Sequence, residues 1–236
     1  MLIGPQNLTL HVNHVRSRIR SAAIAAGRDP ESITLVAVTK AKTAESVRLA
    51  ATAGVTDFGE NYLQEAQVKM DRLAGLQVKW HFIGGIQSNK TRAIAERFDW
   101  VQSVDRFAVA RRLSEQRPFH AAPLNICIQV ALVPEPTKGG VPPDELRTLA
   151  AAIADLPRLR LRGLMCVPPP QANAAAERAV FASLRMALED LNAGGLKLDT
   201  LSMGMSGDFE SAIAEGATLV RIGTALFGAR QEREGV

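Results

Sequence analysis

Short runs of consecutive apolar residues alternate along the chain with longer stretches in which apolar positions recur every three or four residues. The runs are TLVAVTK (34–40), DFGE (57–60), KWHFIG (79–84), WVQSV (100–104), NICIQVAL (125–132), RLRGLMCV (160–167), TLSMG (200–204) and LVRIGT (219–224). Several are apolar on successive residues, not on alternate ones. That pattern predicts parallel strands covered on both faces.

The stretches between them read as helices. Residues 44–54 carry Val47, Leu49, Ala50 and Ala53 and stop at a glycine. Residues 142–157 open with prolines and acids and close on proline. Residues 174–195 end at Gly194-Gly195, a plausible cap. An extra helix over about 6–26 precedes the first strand, with Leu8, Val12, Val15, Ile19 and Ala23 on one face.

Eight strand-then-helix units predict a (β/α)8 TIM barrel, with residues 1–236 forming a single domain. The competing arrangement is an open, doubly wound sheet. No glycine fingerprint follows the first strand, which weighs against it. The loop at 133–143, rich in proline and glycine, is expected to be a mobile loop on the active face.

In such a barrel the C-terminal ends of the strands form the functional face. Lys40 stands at the first of them. Lysine is seldom buried, and an amine in a barrel mouth can serve Schiff-base chemistry once its surroundings favour the neutral form. Lys42 is expected to be solvated. At the other end of the chain, LSMGMSGDFESAI (201–213) reads as strand, small-residue turn and helix, and VRIGTALFG (220–228) as a strand ending at Gly223 and Thr224. These are loops 7 and 8, where barrels commonly hold phosphate. Small residues admit backbone amides to an anion, and Ser206 and Thr224 add hydroxyls. An imine-forming lysine beside a phosphate cradle suggests a phosphorylated aldehyde. Pyridoxal phosphate fits; a sugar phosphate in an aldolase-type barrel fits less tightly.

The formal net charge of +4 is mild. Its densest groups, Arg16/Arg18/Arg20 and Arg158/Arg160/Arg162, lack interleaved aromatics, so nucleic-acid binding is not expected. The two cysteines, Cys127 and Cys166, lie apart in apolar runs and read as buried thiols in a reducing compartment. No signal peptide or membrane span is visible, so a cytoplasmic location is expected. GGIQSNKT (84–91) has Asn89 where a phosphate-binding loop needs glycine. His11 and His14 are expected at the surface, His81 inside the barrel, and no metal site is expected.

Six segments occur in one order across nearly the whole chain: AVTKAK, DFGENYLQEA, WHFIGGIQSNK, LRLRGLMCVP, LSMGMSGDFESAI and VRIGTALFGAR. Together they closely resemble the pyridoxal-phosphate homeostasis proteins, single-barrel relatives of the alanine racemase N-terminal domain. The resemblance implies a fold-type III barrel that holds pyridoxal 5'-phosphate as an internal aldimine on Lys40. It implies that Ser206, Gly223 and Thr224 hold the phosphate, that Arg221 faces the pyridine nitrogen and that Asn61 lies near the ring. It further implies a role in intracellular vitamin B6 and amino-acid homeostasis without a defined reaction, with apoenzymes as possible recipients and a monomeric state. The alternative is a pyridoxal-phosphate-dependent amino-acid racemase, which needs a second acid–base group; the chain's one tyrosine is Tyr62. Gly85, Gly139 and Gly207 depart from the family pattern, which has larger residues there.

Overall fold

The computed structural model describes residues 5–133 and 139–228. Its centre is a closed barrel of parallel strands in sequential order, β1 pairing with both β2 and β8. The strands are β1 (Thr34–Val38), β2 (Asp57–Glu60), β3 (Lys79–Phe82), β4 (Trp100–Val104), β5 (Leu124–Gln129), β6 (Leu159–Met165), β7 (Thr200–Ser202) and β8 (Leu219–Ile222). Around them run α1 (Pro5–Ala25), α2 (Ala44–Thr52), α3 (Leu63–Arg72), α4 (Thr91–Arg97), α5 (Phe107–Gln116), α6 (Pro143–Ala154), α7 (Ala174–Ala193), α8 (Phe209–Ala214) and α9 (Thr224–Phe227). The expected (β/α)8 architecture with an extra leading helix is the one found.

The main core lies between strands and helices, as the consecutive apolar runs require: one side chain faces the helices while the next faces the barrel axis. The predicted face of α1 is the buried one, with Leu8, Val12, Val15, Ile19 and Ala23 all inside. Helix α1 packs across α8 and α9, near the closing strand β8. Inside the barrel, Val36, Trp100, Cys127, Met165 and Leu219 form a small separate cluster.

Two strands, β2 and β4, have the predicted bounds. Several others stop short of the apolar run at the C-terminal side. Strand β1 ends at Val38, so Lys40 sits in the following turn, not on the strand. Strand β3 ends before Gly84 and β8 before Gly223. The residues just past these ends, Thr39, Ile83 and Gly223, are still buried or half-buried in the rim, but the chain has left the ladder. Of the loop at 133–143, residues 134–138 lie outside the described residues. Its far end is anchored by a parallel bridge between Val130 and Val141.

Phe209 couples α8 to α1. Its ring is fully buried and carries the Arg18 guanidinium 4.6 Å from its centroid. Arg18 is itself held by Glu210, at 2.7 Å from Nε to Oε1. Truncation leaves a cavity, so Phe209→Ala should lower unfolding stability by about 3–5 kcal/mol, measured by urea denaturation.

Candidate functional site

The C-terminal rim holds a cavity of about 290 Å³. Lys40, Asn61, Ser206, Arg221, Gly223 and Thr224 all line it, so every residue expected at a cofactor site from the sequence meets in one place. They arrive from β1, β2, β7 and β8, from strand ends or the first turns after them.

Lys40 is exposed, and its turn is tight. Ala41 has φ 59°, a left-handed conformation that costs a residue with a Cβ about 1–2 kcal/mol. Its N–H donates to Glu65 Oε1 at 2.6 Å. Thr39 precedes Lys40 and is fully buried; its hydroxyl donates to Glu60 Oε1 at 2.6 Å. Lys69, buried beneath, donates from Nζ to Thr39 O at 2.5 Å, and to Glu60 Oε1 and Glu65 Oε1 at 2.7 Å each. Burial pushes the Glu60 carboxyl above its usual range, against the opposing pull of Lys69 and Thr39. Lys42 is not solvated as expected: its Nζ donates to Phe227 O at 3.0 Å, tying this turn to the end of α9.

Asn61 follows β2. Its Oδ1 is buried without a hydrogen-bond partner. Its backbone lies against Gly84, where a Cβ would sit 2.1 Å from Asn61 O, so only glycine permits this approach. The departures at Gly85 and Gly207 disturb nothing: an added Cβ at either meets open space. At Gly139 it would meet Asp105 Oδ2 at 3.2 Å.

Ser206 does not cap α8. The N-cap is Asp208, and Ser206 Oγ instead accepts the Ala225 N–H at 3.2 Å, joining loop 7 to the first turn of α9. Gly223 is the N-cap of α9 and Thr224 opens it. The Ser206 and Thr224 side chains and the backbone of Gly223 therefore share one corner of the cavity, a set of small polar groups that suits an anion.

Arg221 lies inside the barrel and takes part in no ion pair among the described residues. Its guanidinium donates to Ser202 Oγ at 2.6 Å and to Cys166 O at 2.7 Å. Burial lowers its pKa from the usual arginine value. Since guanidinium can only donate, it sets the direction of a chain through the interior. Ser202 donates to Gln102 Oε1 at 2.6 Å, which leaves Gln102 Nε2 to donate to His81 Nδ1 at 2.8 Å. The remaining imidazole proton is then on Nε2, donated to Asp57 Oδ1 at 2.9 Å, while Thr56 donates to Asp57 Oδ2 at 2.7 Å. The sequence placed His81 inside the barrel but gave no sign of Ser202, Gln102 and Asp57 as its companions. The available signal was polar residues within strands that otherwise read as buried.

His11 is less exposed than expected, its Nδ1 bonded to Leu226 O at 2.9 Å, whereas His14 is exposed. Both cysteines are buried, and burial pushes their thiols up to about 12, which makes them inert. Among the described residues no three histidine, cysteine or acidic side chains gather as a metal site, and no helix is long and apolar enough to cross a membrane.

A parallel barrel with a lysine, a buried arginine and an anion corner on its C-terminal rim defines the class of the protein. The family model for the alanine racemase N-terminal domain matches residues 10–231. The chain belongs to that family and, within it, to the pyridoxal phosphate homeostasis proteins. It is 60% identical over 220 residues to the pyridoxal phosphate homeostasis protein of Pseudomonas aeruginosa, covering 93% of this chain and 94% of the relative. It is 49% identical over 219 residues to that of Escherichia coli, covering 92% and 94%. Among solved structures, PipY of Synechococcus elongatus with PLP bound superposes with a TM-score of 0.84 at 38% identity, over 94% of this chain and all of PipY. An alanine racemase of Clostridium difficile, 16% identical with a TM-score of 0.74 over 96% of this chain and 58% of its own, shares the fold.

The buried chain predicts how stability depends on pH. Burial holds His81 below the usual histidine pKa. Burial pulls Asp57 upward, but hydrogen bonds from His81 and Thr56 outweigh it and hold the carboxyl low. Both folded-state values are depressed, so the unfolded chain takes up protons first as the pH falls. The stabilisation is complete above about pH 6.5 and is lost as the pH drops through the folded-state values. Urea midpoints should fall from pH 8 to pH 5, and His81→Gln should flatten that slope.

Proposed function

We propose that the chain binds pyridoxal 5'-phosphate at this rim, covalently on Lys40, and acts in vitamin B6 and amino-acid homeostasis. The observation that carries the reading is the meeting of six residues from separate motifs around one cavity, in a fold shared with PipY, a relative solved with PLP bound. The donor set fits the cofactor. The anion corner of Ser206, Gly223 and Thr224 suits its phosphate. Arg221 offers N–H donors to an unprotonated ring nitrogen, and the unpartnered Asn61 Oδ1 is a polar atom awaiting a donor. Bound there, the cofactor supplies an aldehyde and an electron-accepting ring.

Holding fits this site better than racemisation. Arg221 cannot accept a proton, so it disfavours a protonated ring, which is the stronger electron acceptor. Racemisation also needs an acid–base group on each face of the substrate carbon. Among the residues lining the cavity, Lys40 is the one side chain suited to that work, and Tyr62 is not among them. Apoenzymes that require the cofactor are its natural recipients, and a cytoplasmic monomer suits that role.

The test is the visible spectrum of the purified chain with pyridoxal phosphate, before and after borohydride, followed by peptide mapping. Wild type should show a band that borohydride removes, with the pyridoxyl group on Lys40; Lys40→Ala should lack both. Absence of any band in wild type, or labelling at another lysine, would overturn the reading.

A further inference from the structure

Lys40 owes its position to groups that do not line the cavity. The residues on either side of it are both held by one buried cluster. Thr39, on one side, is engaged through its hydroxyl and its carbonyl, by Glu60 and Lys69. Ala41, on the other, is engaged through its N–H by Glu65. Lys69 joins the two: its three short contacts go to Thr39 O, Glu60 Oε1 and Glu65 Oε1, matching the three N–H donors of an ammonium. Lys69 is 4% exposed and Glu60 fully buried, so neither reaches solvent for a substitute partner. The second carboxylate oxygen of Glu60 has no hydrogen-bond partner among the described residues. Lys69 is therefore the ion-pair partner of Glu60, and the rest of that carboxylate is left unsatisfied.

A surface helix pair would not need this arrangement. Glu65 and Lys69 are four residues apart on α3, and such a pair normally lies in water and contributes little. Here the pair faces inward and reaches across to the turn after β1. That turn adopts a left-handed conformation at Ala41, a residue that gains nothing from it. A turn of this kind persists only where its surroundings dictate it. The turn is closed by its own hydrogen bond, from the Lys42 N–H to Thr39 O at 3.0 Å, and Glu65 adds a bond to the Ala41 N–H from outside it.

We propose that Lys69 and Glu65 are positioning residues for the anchor lysine: through Thr39 and Ala41 they fix the turn that aims Lys40 into the cavity. The proposal rests on Lys40 being the cofactor anchor. It assigns Glu60 the part of a buried counter-charge that keeps Lys69 in place. Lys40 itself stays free to react, because the clamp grips its neighbours' backbone and leaves its side chain alone.

The test compares Glu65→Ala with Glu65→Gln in the full chain. Glu65 is partly exposed, so neither variant opens the core. Glutamine keeps an oxygen that accepts the Ala41 N–H; alanine does not. Glu65→Ala should weaken pyridoxal phosphate binding about tenfold, equivalent to about 1.4 kcal/mol, and lower the fraction trapped on Lys40 by borohydride. Glu65→Gln should restore both. A Lys69→Met/Glu60→Gln double variant, which leaves no unpaired buried charge, should show the same loss as Glu65→Ala. Amide hydrogen exchange at Ala41 in the cofactor-free chain reads the clamp independently: slow in wild type and Glu65→Gln, fast in Glu65→Ala. Wild type that takes up no pyridoxal phosphate, with Ala41 still protected in the Glu65-dependent way, would remove the cofactor reading and leave the clamp. Unchanged binding and exchange in Glu65→Ala would overturn the clamp. So would equal losses in alanine and glutamine variants, or losses that merely follow a fall in melting temperature.

Discussion

A guanidinium buried inside a closed barrel, in no ion pair among the described residues, constrains much of the molecule. Arg221 is 4% exposed and its side-chain partners are a serine hydroxyl and a backbone carbonyl. Burying an unpaired charge is costly, and it persists only when every neighbour is oriented toward it. The interior therefore cannot be apolar throughout. Ser202, Gln102, His81 and Asp57 line up so that each donates to the next, and the negative end lies on β2, separated from the arginine on β8 by β1 alone in the closed sheet. The direction is set at one end by a group that cannot accept and at the other by one that cannot donate.

That order reaches beyond the chain itself. His81 is neutral with its proton on Nε2, since Nδ1 accepts from Gln102 while Nε2 donates to Asp57. Its ring lies nearly parallel to that of Trp100, 5.4 Å between centroids, and Arg162 covers Trp100 at 4.9 Å. A polar thread and an apolar cluster thus share the barrel interior, and the thread fixes the Arg221 guanidinium where it lines the rim cavity. An arginine oriented by neutral partners retains its charge for the ligand; one paired with a carboxylate would not.

The sequence made the barrel legible because its strands are buried on both faces and its helices end at glycine or proline. Strands β2 and β4 were readable to the residue: β4 stands between Asp99 and Asp105, and β2 is short, with acids at both its ends. The overshoot at β1, β3 and β8 falls on rim residues just past the ladder. Thr39, Gly84 and Gly223 are still buried or half-buried there, so burial does not mark where the backbone pairing stops. That Lys40, Ser206, Gly223 and Thr224 would gather on one rim was legible from strand ends and from the small residues and hydroxyls after β7 and β8, whereas Asn61 and Arg221 came in through the family resemblance. The buried thread was not legible: its members come from four strands, and no spacing in sequence connects Gln102 to Ser202, 100 residues on. Lys69 was invisible for a different reason. Its spacing from Glu65 is that of an ordinary exposed pair, and only the direction in which the helix faces distinguishes the two cases.

Two lysines on this rim therefore do opposite work for reasons of environment alone. Lys69 is buried and engages three acceptors, so it is a fixed cation and a poor nucleophile. Lys40 lies in the turn above it, exposed, and no described residue takes its amine. A covalent anchor needs both conditions at once: a backbone that does not move and a side chain that does. Meeting them with one residue is difficult, because a hydrogen bond that immobilises an amine also occupies its lone pair or stabilises its charge. On the reading proposed above, the rigidity lies in Lys69, Glu65 and Glu60 and the reactivity in Lys40, which separates the two demands. The link from Lys42 to Phe227 extends the same logic across the cavity, since it sets the turn that carries the amine against the helix whose other end forms the anion corner.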